Sequence, residues 1–154
     1  MCSYCGCRAI TVIGRFSAEH EAIINATGTV RRAAHDGDHT AAQAAVQVLA
    51  DLLHPHTGSE ERSLFAELRL DPEFTEHVDA LCSEHREITA RLTTIAGGDL
   101  NAVDALERLL RRHIDKEENG LFPAAAIALD GPAWERVVDA AGGAGACPQE
   151  GSVG

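Results

Sequence analysis

An all-α fold, a single up-down-up-down bundle of four helices, follows from three observations on the sequence. Hydrophobic residues make up 45% of the 154-residue chain, with alanine and leucine prominent and β-branched or aromatic runs scarce, a composition that favours helices over strands. Apolar residues recur at helical spacing in four segments separated by short turn signals. Two pairs of short motifs recur half a chain apart, so the sequence reads as two similar helical halves. The length suits one domain with a substantial core, and four helices with short joins pack most economically as a bundle.

The first helix is expected from about Arg8 to His35, ending at the turn signal DGD at 36–38. The second begins near His39 and carries an apolar stripe through Val46, Leu49 and Leu53; Pro55 predicts a kink or short break before His56. The third follows Asp71, an N-cap with Pro72 at the first helical position, and stops at Gly97-Gly98. The fourth follows the N-cap candidate Asp99, with Val103, Leu106, Leu109, Leu110 and Ile114 at helical spacing up to or just past Pro123. A short helix is expected over 131–141. Residues 1–9 thus read as a cysteine-rich leader, 10–128 as the bundle, and 129–154 as the short helix and a flexible tail.

Charge and cysteine usage narrow the function classes. A net charge of −11 argues against nucleic acid or an anionic membrane as partner, because phosphate binding needs clustered lysine and arginine. Metal cations are the partners an acidic surface tolerates best. No apolar run approaches the roughly 20 residues of a spanning helix, and MCSYCGCRAI lacks the apolar core of a signal peptide. Five cysteines, three of them within the first seven residues, do not form a secreted disulfide scaffold. A soluble cytoplasmic protein is the expectation.

The chemistry lies in the repeats. HTGSEERSLF at 56–65 and HIDKEENGLFP at 113–123 share a histidine, glutamates at +4 and +5, leucine at +8 and phenylalanine at +9, while EHEAI at 19–23 recurs as EHREI at 84–88. Residues four apart share a helix face, so His56 with Glu60, and His113 with Glu117, can each aim two donors at one spot. His20 and His85 then supply one histidine from each remaining helix. Burying six such groups unpaired would cost several kcal/mol each, on the scale of a domain's whole stability; a metal removes that objection. Imidazole with carboxylate favours iron, zinc or manganese, and shared carboxylates between helix pairs favour two metals. If His20 and His56 serve one metal and His85 and His113 the other, with Glu60 and Glu117 shared, each has four protein donors. A bridging oxygen makes five, which leaves an octahedral iron one open position for a small oxidant or gas.

These four motifs resemble the ligand helices of the hemerythrin-like (HHE cation-binding) family over roughly residues 10–128. The resemblance implies a four-helix bundle with two non-heme iron ions, oxo- or hydroxo-bridged, held by His20, His56, Glu60, His85, His113 and Glu117. It also implies that the centre binds or reacts with dioxygen, hydrogen peroxide or nitric oxide, with peroxide decomposition of a catalase-like kind as one activity. Members of the family also sense oxygen, nitric oxide or iron, or repair damaged iron centres. Sensing through a protein partner, and iron handling by storage, ferroxidase activity or repair, are therefore the rival readings. Oxygen carriers have a further histidine one turn after the third-helix ligand, where this chain has Thr89, which shifts the expectation from carriage toward redox turnover or sensing. They also take the last carboxylate at +5, which would select Glu118; the internal repeat and the LFP context match the iron-centre-repair branch and favour Glu117.

Other residues receive lesser roles. Leu64, Phe65, Leu121 and Phe122 are expected to pack beneath the site, and Glu61 and Glu118 to be solvated or to orient a histidine. Cys2, Cys5 and Cys7, with Cys147 as a fourth thiol, are candidates for a second soft-metal or redox site. Tyr4 is an alternative oxygen donor to the iron if the leader folds over the bundle. Cys82 is expected to be a small buried residue.

Overall fold

A computed structural model describes residues 5–142, and no strand occurs among them. The helices are α1 (Cys5–His35), α2 (His39–Glu60), α3 (Ala66–Leu68), α4 (Pro72–Ala96), α5 (Val103–Lys116), α6 (Phe122–Ala128) and α7 (Gly131–Ala140). Two π turns, Glu61–Phe65 and Glu117–Leu121, join α2 to α3 and α5 to α6, so each pair forms one continuous rod. With α1 and α4 these rods make the four staves, each flanked by two others: α1 packs on α2 and α5, and α4 packs on the same two.

The turns are set by local chemistry. Asp38, Asp71, Asp99 and Asp130 each accept a backbone N–H of the following turn, satisfying donors that a helix start leaves unpaired. Gly37 and Gly98 hold φ of 70° and 108°, a region that side chains disfavour, and thereby reverse the chain after α1 and α4. No break occurs at Pro55: α2 runs through it. The i−4 carbonyl left without its N–H belongs to Asp51, and both residues lie on the exposed face, which is open to solvent. The departure from α geometry comes six residues later, at the π turn.

Two apolar clusters fill the bundle. One joins Val12, Phe16, Leu64, Phe65, Leu68, Val78, Leu81, Leu121, Phe122 and Ala125 with Trp134 and Val137 of α7, which closes that end. The other joins Ile23, Val30, Val46, Leu49, Leu53, Ile88, Leu92, Ile95, Leu106 and Leu110. Running N to C, α1 and α4 pass from the first cluster to the second, and α2 and α5 pass back, which is the up-down-up-down order. Every stave crosses from one cluster to the other at a histidine. No helix is long and apolar enough to cross a membrane among the described residues.

Candidate metal centre

Between the two apolar clusters lies a single polar layer. His20 stands on α1 between Phe16 and Ile23, His85 on α4 between Cys82 and Ile88, and His56 and His113 stand one turn before Glu60 and Glu117. All six are buried, and both glutamates are 0% exposed. Glu60 Oε1 lies 2.9 Å from His56 Nε2 and 3.4 Å from His20 Nε2; its Oε2 lies 3.2 Å from His85 Nε2. Glu117 mirrors it, with Oε1 3.0 Å from His113 Nε2 and Oε2 3.0 Å from His20 Nε2. Two overlapping donor groups result, His20–His56–Glu60–Glu117 and Glu60–His85–His113–Glu117, each with its atoms within 4.8 Å of one another.

The outward nitrogens are held as carefully as the inward ones. His20 Nδ1 is 2.7 Å from Glu118, His85 Nδ1 is 2.8 Å from Glu61, and His113 Nδ1 is 2.7 Å from Glu84. A carboxylate on Nδ1 fixes the proton there and turns the Nε2 lone pair inward, the arrangement a metal-ligating histidine needs. His56 Nδ1 faces Glu19 at 3.6 Å, outside hydrogen-bond range. Ser17 Oγ donates to the second oxygen of Glu118 at 2.8 Å, so that side chain is committed to orienting His20. Of the two carboxylates that compete in the sequence, Glu117 therefore enters the donor layer and Glu118 stands behind it.

The π turns explain the repeat's offsets. In an α-helix, eight residues overshoot two full turns by about 80°. A π turn takes more residues per turn and removes that overshoot, a device frequent at functional sites. Leu64 and Leu121, eight residues after their histidines, thus return to the interior, as do Phe65 and Phe122. Phe65 stacks on His85 (5.5 Å between ring centres, 11° between planes) and Phe122 on His20 (5.8 Å, 5°), while Phe16 meets His56 edge-on. An aromatic floor clamps three of the four imidazoles.

Charge in the layer is unbalanced within the polypeptide itself. Burial opposes protonation of His20, but the carboxylates of Glu117 and Glu60 close beside it outweigh that and raise its pKa to about 10. His56 rises to about 9 against the same burial penalty, through Glu60 first and through Glu19 nearby, and His113, also against burial, is raised by Glu117 and Glu84. Burial alone would push Glu60 up; the histidines around it hold it well below the ordinary carboxylate range. Even so, Nε2 of His20 and of His56 and both oxygens of Glu60 and Glu117 find no properly directed hydrogen-bond partner. Buried polar atoms are rarely left so. Inward-facing nitrogens and carboxylate oxygens converging in that condition fit divalent or trivalent metal, for which sulfur-free N/O donor sets are suited.

Two spaces adjoin the layer. A small void of about 10 Å³ lies against His20, His56 and His113 and is walled by Ile23, Leu53, Ile88, Leu110 and Ile114. Outside it, between α1 and α5, a surface groove of about 590 Å³ reaches His20, with Glu21, Glu118, Asn25 and Ile114 along it. His35, His39, His54, His77 and Thr89 are all exposed and join neither group. Cys82 is buried, as expected of a small apolar residue. Cys2, Tyr4 and Cys147 lie outside the described residues, as do the Cys5 and Cys7 side chains, so the leader's thiol site and the Tyr4 donor fall there too. Sequence reasoning passed over Glu19 and Glu84. Their signal was present, since each immediately precedes a repeated histidine in the two EHxxI motifs.

Comparison with curated proteins and with solved structures gives no match. The sequence model of the hemerythrin HHE cation binding domain matches residues 11–125, about three quarters of the chain and all six residues of the donor layer. Chain, bundle and donor layer agree: this protein belongs to the hemerythrin HHE cation-binding family.

Proposed function

We propose that the two donor groups hold two iron ions with Glu60 and Glu117 shared between them, and that the centre reacts with small oxidants such as dioxygen, hydrogen peroxide or nitric oxide. The observation that carries this reading is the void beside His20, His56 and His113. At about 10 Å³ it is near the room one water occupies, so the wall of Ile23, Leu53, Ile88 and Leu110 leaves space beside these histidines for a very small molecule and none for a larger substrate. Iron, when bound, supplies the one-electron redox chemistry and the affinity for such molecules.

The chain's own residues do the rest. Glu118, Glu61 and Glu84 hold the Nδ1 protons of His20, His85 and His113, so that their Nε2 atoms stay directed inward. Phe65 and Phe122 prevent the His85 and His20 rings from swinging out. The apolar wall keeps bulk water from the reacting side, which strengthens every charge interaction in the layer.

The test is metal analysis with optical spectra under oxygen, peroxide and nitric oxide for the wild type, His113→Ala and Glu117→Ala. Two irons per chain, spectral change on adding oxidant, and loss of metal in both variants are expected. Metal content unchanged in either variant would remove that residue from the ligand set. An iron-loaded wild type inert to all three oxidants would sink the proposed activity.

A further inference from the structure

The repeat imposes a pseudo-twofold relation on the layer. Glu118 on His20 corresponds to Glu61 on His85, and their distances agree, 2.7 and 2.8 Å. Glu19 on His56 corresponds to Glu84 on His113, and here the symmetry fails: 3.6 Å against 2.7 Å. The cation each glutamate meets differs as well. Lys116, three residues after His113 on the same helix, pairs with Glu84. The position three after His56 is Ser59, which carries no charge. Glu19 pairs instead with Arg15, one turn back on its own helix, at 3.4 Å. Arg15 is itself anchored elsewhere, donating to the Ala141 carbonyl at the end of α7 (2.8 Å) and to Ser59 Oγ (3.3 Å).

We infer that the two metal positions are unequal: the one bounded by His20 and His56 holds the exchangeable metal, and Arg15, by holding Glu19 off His56, is the positioning residue that makes it so. This rests on the dinuclear reading above. A carboxylate on the outer nitrogen raises the basicity of the ligating one and locks the ring; losing it typically lowers metal affinity 10–100-fold. His56 is the one histidine of the four without that bond. Access favours the same position, because the groove between α1 and α5 reaches His20 and carries Glu21 and Glu118 along its wall, a path on which a cation is attracted.

The experiment uses the full-length, iron-loaded chain challenged with excess chromogenic chelator, following metal release. Two phases of one iron each are expected, the fast one about tenfold or more ahead of the slow. Glu84→Gln should accelerate the slow phase about tenfold, whereas Glu19→Gln should leave the fast phase within a factor of about two. Arg15→Gln frees Glu19 to close on His56 and should slow the fast phase, the opposite of what loosened packing of α7 would do. In the Glu19→Gln background Arg15→Gln should change nothing, which separates positioning through Glu19 from a simple charge effect. A single release phase, or equal acceleration by Glu19→Gln and Glu84→Gln, would overturn the inequality while leaving the dinuclear reading intact. Fewer than two irons in the loaded wild type would overturn that reading, and this inference with it.

Discussion

Trp134 fills the end of the bundle with the largest fully buried side chain, yet its indole N–H finds no protein acceptor. An unpaired buried donor costs about 1–3 kcal/mol, so Trp134→Phe, which removes both the donor and some volume, should change stability by less than about 1 kcal/mol. Trp134→Ala leaves a cavity within the apolar cluster it shares with Phe16 and Phe122 and should cost about 3–5 kcal/mol. Urea denaturation of the metal-loaded forms measures both. At this scale the sequence was most legible where residue types repeat: the histidines and glutamates could be singled out by their spacing alone. Their orientation was not, because spacing names a helix face but not which oxygen meets which nitrogen. Glu19 and Glu84 escaped notice for that reason, since neither sits four residues from a histidine on its own helix.

Among the elements, boundaries marked by aspartate, proline and glycine were readable, because each marker acts through its immediate neighbours. Asp71 and Pro72 begin α4 and Gly97-Gly98 ends it, as their chemistry requires. The short break expected at Pro55 does not occur, because whether a proline interrupts a helix depends on which carbonyl it orphans and whether water can reach it, a matter of tertiary facing. With Asp51 and Pro55 both exposed on α2, Pro55→Ala restores that hydrogen bond and should stabilise the protein by about 1 kcal/mol or more, read as a shift in the denaturation midpoint. The π turns were visible only as unexplained offsets of eight and nine residues. Their meaning needed the knowledge that both the histidine and the leucine are buried.

For the molecule as a whole, the polar layer governs the response to pH. Metal and protons compete for the same nitrogens, and the pKa values of about 10 for His20 and about 9 for His56 mean that both carry protons at neutral pH before loading. Metal uptake should therefore release protons, and apparent affinity should rise with pH until about 9 to 10. Isothermal titration in buffers of different ionisation enthalpy measures the release; uptake without it would contradict the assignment. In the chelator-treated chain the sign for folding stability differs. The raised histidines contribute fully below their ordinary value of 6.5, and that contribution fades as pH climbs toward 9 and 10. Glu60, depressed, contributes above its ordinary 4.5 and loses that contribution as pH falls below it. Thermal melts of loaded and chelated protein should then diverge most on the alkaline side, where metal binds best and the bare layer holds least.

The shared carboxylates have one further consequence, for the coupling of metal binding to folding. The group around His20 and His56 takes its fourth donor, Glu117, from the other half of the chain, and the group around His85 and His113 takes Glu60 in the same way. Neither α-helical hairpin can complete a metal position alone. A metal ion in either group would tie sequence-distant segments together, and because the unfolded chain cannot assemble the site, its binding free energy would add to folding stability. With the backbone cut at the turn around Leu70, which is 74% exposed, the two fragments would still share both apolar clusters, and metal should tighten their association while a chelator loosens it.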